Sequence, residues 1–228
     1  MVARLRAQPT FRVIAHRPYD RPIAARLPSV HDVAALDTIE ALTNPRIRQD
    51  WSPRKKIRPK DIGAAPDELV MASFVYSGAS RFTDGSFGVY YAGFERETAI
   101  AESRFHTERF LALSHAGATN VFKRVLHARF SGAYDDLRGI PASNPVYAPD
   151  PQGYAAAQRY GLGVYARDRE DGIVYRSVRR EDGTCAVAFR PRLVTDCMVA
   201  EMLMYAYDGA HIDTIMRVAE ESPPERPS

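Results

Sequence analysis

Apolar and polar positions keep no single period along this chain. Helical and strand patterns follow one another without a fixed order. Residues 10–16 (TFRVIAH) read as a short strand closed by Pro18. In residues 31–42, Val33, Leu36, Ile39 and Leu42 recur at the spacing of one helical face, and Asn44-Pro45 stops the helix. Residues 46–60 are basic, proline-punctuated and aperiodic. They read as a solvated loop, with a phosphate-facing or partner-facing patch as the sharper alternative. Trp51, inside that stretch, is expected in the core.

Residues 67–76 fit a strand or a short helix, and the pattern does not decide. Residues 78–88, rich in Gly, Ser and Asp, read as a loop; residues 89–93 (VYYAG) are a strand. Residues 94–113 are helical, with Glu97, Glu102 and Glu108 along them. Residues 120–130 read as a strand, 134–152 as a Pro/Asn/Asp-rich connection, and 154–166 as a helix weakened by Gly161 and Gly163. Residues 172–178 and 184–189 are strands, and 198–207 with 212–218 form a hairpin across Asp208-Gly209. This order predicts an α+β fold with a mixed, largely antiparallel sheet core and flanking helices. One domain is expected over residues 1–219, followed by a disordered tail at 220–228.

Composition narrows the function. The 31 Lys and Arg against 28 Asp and Glu leave a net charge of +3, too balanced for nucleic-acid binding driven by bulk charge. No direct DNA binding by the chain alone is expected. Cys185 and Cys197 cannot build a disulfide framework and sit in apolar contexts, which points to a reducing compartment and inert thiols. No run approaches about 18 apolar residues, so no membrane span is expected. The early arginines Arg4, Arg6 and Arg12 precede no apolar stretch of the kind a secretory signal needs. A cytoplasmic protein is the simplest reading.

Most standard chemistries find no motif. His16, His31, His106, His115, His127 and His211 form no HExxH or tight Cys/His spacing, so no metal site is expected. P-loop and GxSxG patterns are absent. Gly161-Leu-Gly-Val-Tyr-Ala matches the loose GxGxxA dinucleotide pattern, but it follows a helical stretch where that fingerprint needs a strand.

What remains is a constellation: Ser80-Arg81-Phe82, then Gly88-Val-Tyr-Tyr91-Ala, then Glu97-Thr-Ala-Ile-Ala-Glu102, and later Val174-Tyr-Arg-Ser177-Val. Taken singly, each residue has a bland reading. Glu102 lies near the edge of an apolar stripe of Ala99, Ile100, Phe110 and Leu111, where composition alone makes it solvated.

In order and spacing these segments, with Thr184-Cys-Ala-Val-Ala-Phe-Arg-Pro191, resemble the RES family, named for an arginine, a glutamate and a serine. The core of the resemblance covers about residues 73–218, with residues 1–72 as the N-terminal part of a longer subclass. Phe11-Arg12-Val13 resembles the family's opening strand.

The resemblance implies a fold similar to ADP-ribosyltransferase toxins. It also implies a toxin of a bacterial toxin–antitoxin pair that consumes NAD⁺ by hydrolysis or phosphorolysis. Glu102, Arg81 and Tyr91 would be catalytic. Arg12, Arg81, Tyr91 and Ser177 would bind NAD⁺: Arg81 on the pyrophosphate, Tyr91 on the nicotinamide, Ser177 on the ribose or on Glu102. NAD⁺ is the substrate, and no separate cofactor or metal is implied. The implied partner is a helix-turn-helix antitoxin. Two alternatives stand beside this reading. One is mono-ADP-ribosylation of a host metabolic enzyme, although Ile100 occupies the place where such enzymes often carry a second acid. The other is a non-enzymatic part in a DNA-bound complex, with residues 46–60 touching phosphate.

Overall fold

The computed structural model describes residues 1–16, 57–63, 67–76 and 78–219. In chain order the elements are β1 (Val2–Ala15), α1 (Pro59–Ile62), α2 (Glu68–Val75), β2 (Tyr90–Gly93), α3 (Arg96–Leu113), β3 (Thr119–Asp136), α4 (Ala155–Arg167), β4 (Gly172–Arg176), β5 (Thr184–Ala188), β6 (Val194–Tyr207) and β7 (Ile212–Val218). The seven strands form one sheet in the order β1-β2-β5-β4-β3-β6-β7. All pairings are antiparallel except β3 with β4. β1 also pairs along β3, so β1, β2, β5, β4 and β3 close a ring. The fold is therefore α+β with a mostly antiparallel mixed sheet. Among the described residues no helix is long and apolar enough to cross a membrane.

Alternation along the strands builds two cores on opposite faces. Val174, Ala186, Ala188 and Tyr90 pack with Phe130, Tyr134 and α2. Their sequence neighbours Ile173, Tyr175, Cys185, Val187 and Val89 pack with α4 and the loops before it. Burial on both faces explains the near-continuous apolar runs of β4 and β5. A third cluster joins Leu111 of α3 to Val125, Leu203, Tyr205 and Ile212.

Several boundaries differ from the sequence reading. β1 starts at Val2, not at residue 10, because residues 2–5 pair with 132–135 of β3 after a bulge between Leu5 and Gln8. β3 continues to Asp136, past the expected end at 130. Gly132 bends it at φ 122, where a Cβ would stand 2.4 Å from Asp171 Oδ2. β6 starts at Val194 rather than 198. Residues 67–76 resolve as helix: Asp67 caps α2, its Oδ1 accepting from the N–H groups of Leu69 (2.7 Å) and Val70 (3.2 Å). Phe110 faces solvent at 67% exposure and is no part of the apolar stripe on α3.

Gly161 and Gly163 lie inside α4. A Cβ on Gly161 would come 2.0 Å from the Phe82 carbonyl oxygen, so this glycine lets α4 seat on the loop carrying Arg81. The expected 31–42 helix, Trp51, most of the basic loop and the 220–228 tail lie outside the described residues. The last part of that loop is tied down by ion pairs: Arg58 pairs with Asp61 and Asp168, and Lys60, still exposed, with Asp168.

Lys123, on β3, is buried at 9% exposure beside the Tyr205 ring, and no carboxylate pairs with it among the described residues. Burial lowers its pKa from 10.5. A depressed lysine pKa penalises folding fully below the folded pKa, and the penalty vanishes as pH rises to 10.5. Lys123→Met is expected to raise the melting temperature at pH 7 by about 2–4 °C, the scale of about 1 kcal/mol in a chain this size. The advantage should shrink toward pH 10.5. A thermal melt series over pH 7–10.5 checks both.

Candidate functional site

The site begins where β2 turns into α3. Gly93 makes the turn close: a Cβ there would lie 2.9 Å from the Ala99 nitrogen. Glu95 Oε2 accepts hydrogen bonds from Thr98 Oγ1 (2.6 Å) and the Thr184 N–H (3.1 Å), tying the start of α3 to β5. The β4–β5 turn folds over this junction, with Arg180 donating to Thr98 Oγ1 at 3.0 Å.

Ser177 opens that turn. Its Oγ accepts from the N–H groups of Arg179 (3.0 Å) and Arg180 (3.2 Å). With both acceptor positions filled, its proton points to Glu102 Oε1, 2.7 Å away. The thiol of Cys185 lies 3.8 Å from the same oxygen. Glu102 is thus half-buried and held from one side, not solvated. Among the described residues no hydrogen bond is made to its other oxygen, Oε2. The Cys185 thiol is pushed well up by burial, and Cys197 up to about 11 for the same first reason, so neither is a thiolate near neutral pH.

Tyr91 is held by its hydroxyl. It accepts from the Phe82 N–H at 2.8 Å and shares a hydrogen bond with Ser80 Oγ at 3.0 Å. Burial raises its pKa to about 12, so the phenol stays protonated. Arg12 donates to the Tyr91 carbonyl at 3.0 Å and lies 4.6 Å over the Tyr90 ring. Its Nε is buried without a hydrogen-bond partner. No carboxylate pairs with it among the described residues, and desolvation lowers its pKa. Such a guanidinium is suited to an incoming anion.

Arg12, Ile14, Arg124, Ala72, Ser80 and Tyr91 line a cavity of about 720 Å³. Glu102 and Ser177 are not on its wall. The structure therefore brings the expected residues together as two pairs, Arg12 with Tyr91 and Ser177 with Glu102. Buried Tyr175 belongs to the core cluster against which Tyr91 packs, its ring 4.9 Å from that of Phe82.

Arg81 is placed differently from a free clamp. At 6% exposure, its Nη1 donates to the carbonyls of Val146 (3.1 Å) and Ala148 (2.9 Å), and its Nη2 to the Tyr154 hydroxyl (3.3 Å).

Two neighbours escaped the sequence reading. Tyr175 stands on β4, two residues before Ser177. His106 stands one helical turn after Glu102. Its pKa is lowered, first by burial and then by Arg179, Arg81 and Arg109, against the raising effect of Glu102. Both spacings were visible in the sequence, but neither residue type carries a motif.

The fold is a mixed sheet that carries a serine-held carboxylate and, separately, an arginine-lined cavity. The RES domain family model matches residues 58–208, more than half of the chain, and the chain belongs to this family. It is also similar to "Uncharacterized protein y4oC" of Sinorhizobium fredii (strain NBRC 101917 / NGR234), at 24% identity over 209 residues that cover 90% of this chain and 85% of that protein.

Proposed function

We propose that this RES protein cleaves the bond between nicotinamide and ribose in NAD⁺, on an ADP-ribosyltransferase-like fold, and acts as the toxin of a toxin–antitoxin pair. The observation that carries the reading is the Ser177–Glu102 pair, a carboxylate oriented on one oxygen and open on the other.

Breaking the bond sends its electron pair to the pyridinium nitrogen, which leaves as neutral nicotinamide. The ribose is left with oxocarbenium character, as in glycoside hydrolysis. The Glu102 carboxylate stabilises that positive charge. Arg12 would meet the pyrophosphate from the cavity wall, since a guanidinium fork suits phosphate. The protonated Tyr91 would flank the nicotinamide. Ser177 would act through Glu102, because its hydroxyl is already committed there. The acceptor then adds at the anomeric carbon and, if it is water, loses a proton. No metal or separate cofactor is needed for these steps, and NAD⁺ enters as substrate. A helix-turn-helix antitoxin covering the site is the expected partner, and the cytoplasm the expected place of action.

Incubation of the purified chain with NAD⁺, with and without phosphate, and separation of the products by mass tests the reading. Free nicotinamide with ADP-ribose, or with its 1″-phosphate, supports it and names the acceptor. Nicotinamide released without matching free ADP-ribose, with the mass of ADP-ribose appearing on a protein, favours ADP-ribosylation instead. Ser177→Ala removes one hydrogen bond to a charged group, worth about 1.5–3 kcal/mol. Nicotinamide release is expected to fall about 10–100-fold, with the far-UV spectrum unchanged.

A further inference from the structure

Residues 140–150 connect β3 to the short turns before α4, and four arginines from separate parts of the chain hold them. Arg176, at the end of β4, donates to the Ile140 carbonyl. Arg81, from the loop before β2, serves the carbonyls of Val146 and Ala148 and lies 4.4 Å over the Tyr154 ring. Arg179, from the β4–β5 turn, donates to the Pro149 carbonyl. Arg109, from α3, pairs with Asp150 at 3.0 Å. Val146 and Tyr147 anchor the segment inward, and the Tyr147 hydroxyl donates to the Leu137 carbonyl at 2.8 Å. Two of these arginines flank Ser177: the Arg176 N–H also donates to the Tyr147 hydroxyl at 3.3 Å, and the Arg179 N–H donates to Ser177 Oγ, which in turn donates to Glu102 Oε1. The segment is therefore tied to the turn that holds the Glu102 carboxylate.

We infer that residues 140–150 form a strap that walls one side of the Glu102 site, and that Arg81 is a positioning residue for this strap rather than a ligand of the substrate phosphates. The inference rests on the reading of Glu102 as the reacting carboxylate. Three of the five N–H donors of Arg81, both on Nη1 and one on Nη2, are already committed. For Arg81 to turn its Nη1 edge to a phosphate, the Val146 and Ala148 carbonyls would lose their donor. A buried acceptor left without a partner is costly to folding. Arg12, with a buried and unpartnered Nε on the cavity wall, meets an anion without that loss.

Lysine at position 81 separates the two roles. An ammonium still binds phosphate as a point charge, but it loses the planar fork that braces two carbonyls while stacking on Tyr154. The experiment is amide hydrogen exchange on the full chain, wild type against Arg81→Lys, comparing a peptide across the strap with a control peptide in β6. ADP-ribose affinity and NAD⁺ turnover are measured on the same preparations.

In Arg81→Lys the strap is expected to exchange about tenfold faster while β6 is unchanged. ADP-ribose affinity should stay within about threefold of wild type, and kcat should fall about tenfold or more. Wild-type protection of the strap, or an affinity loss of about tenfold with the strap still protected, would overturn the inference and make Arg81 a substrate ligand. If the wild type turns over no NAD⁺, the proposed reaction fails, and the exchange comparison still decides whether Arg81 holds the strap. Asp150→Ala is the second variant, should Arg81→Lys not fold. It removes only an exposed ion pair, and it should speed exchange at the 148–150 end with an unchanged melting temperature. Unchanged exchange there would count against the strap.

Discussion

Glutamine at position 102 is expected to reduce nicotinamide release about 10²–10³-fold, the scale on which removal of one preorganised electrostatic group from a transition state is felt. The substitution is nearly isosteric. The amide oxygen still accepts from Ser177 Oγ, so the 2.7 Å contact and the β4–β5 turn survive. What disappears is the negative charge beside the ribose. Circular dichroism and melting temperature should match wild type, and if the proposed toxin role holds, the growth arrest expected of the wild type should be absent from the variant. Nicotinamide release at the wild-type rate would remove Glu102 from the mechanism.

The second large effect lies away from the site. Arg190, with a side chain only 7% exposed, joins three carboxylates. It pairs with Asp171, with Asp168 at 2.6 Å and with Asp61 at 3.4 Å. Asp61 is itself 2% exposed and is shared with Arg58 at 2.6 Å. Asp171 Oδ2 accepts from the Ala133 N–H at 2.8 Å, so the same cluster fixes the bend of β3 at Gly132. Arg190→Ala leaves Asp171 without its close cation and the buried Asp61 with Arg58 alone. Breaking a buried pair from one side costs about 3–5 kcal/mol. For a chain of this size that is a fall of about 6–20 °C in melting temperature. Urea and thermal unfolding measure it, and a loss under about 1 kcal/mol would show that the cluster is solvated in solution.

Acid should weaken the same cluster in the wild type. Lys60 first, then Arg58 and Arg190, holds the Asp168 carboxyl down to about 2 from 3.8. A carboxyl depressed in the folded state contributes stability in full above its unfolded pKa. That contribution is lost as pH falls from 3.8 through about 2.

The sequence was most legible where local chemistry decides. Short apolar runs marked β2, β4 and β5, and Asp208-Gly209 marked the turn of the β6–β7 hairpin. It was least legible where a distant segment decides. Residues 2–5 (VARL) are too short a run to predict a strand alone, yet β3 supplies their hydrogen-bond partners. Ser131-Gly132 resembles a turn, yet Asp171 fills the space beside the glycine and the strand continues. Residues 67–76 lack a decisive period, and a cap on Asp67 settles them as helix.

For the candidate site, order and spacing of Arg81, Tyr91, Glu102 and Ser177 placed the chain in its family, and Arg12 was found on the opening strand. Their partners were out of reach. A glutamate at the edge of a helical stripe reads as solvated, because composition carries no record of a serine 75 residues away. Arg81 reads as a free cation for the same reason. Its partners are backbone carbonyls, which leave no mark in a sequence.

The sequence by itself therefore determined the α+β character and the family, and nominated the candidate site residues, since propensity, periodicity and motif order are local properties of the chain. Only the tertiary structure decided the ring of strands, which atom of Ser177 faces Glu102, and which arginines are committed to the strap. Those depend on contacts between segments far apart in sequence, where hydrogen-bond geometry and exclusion of water set each group's role.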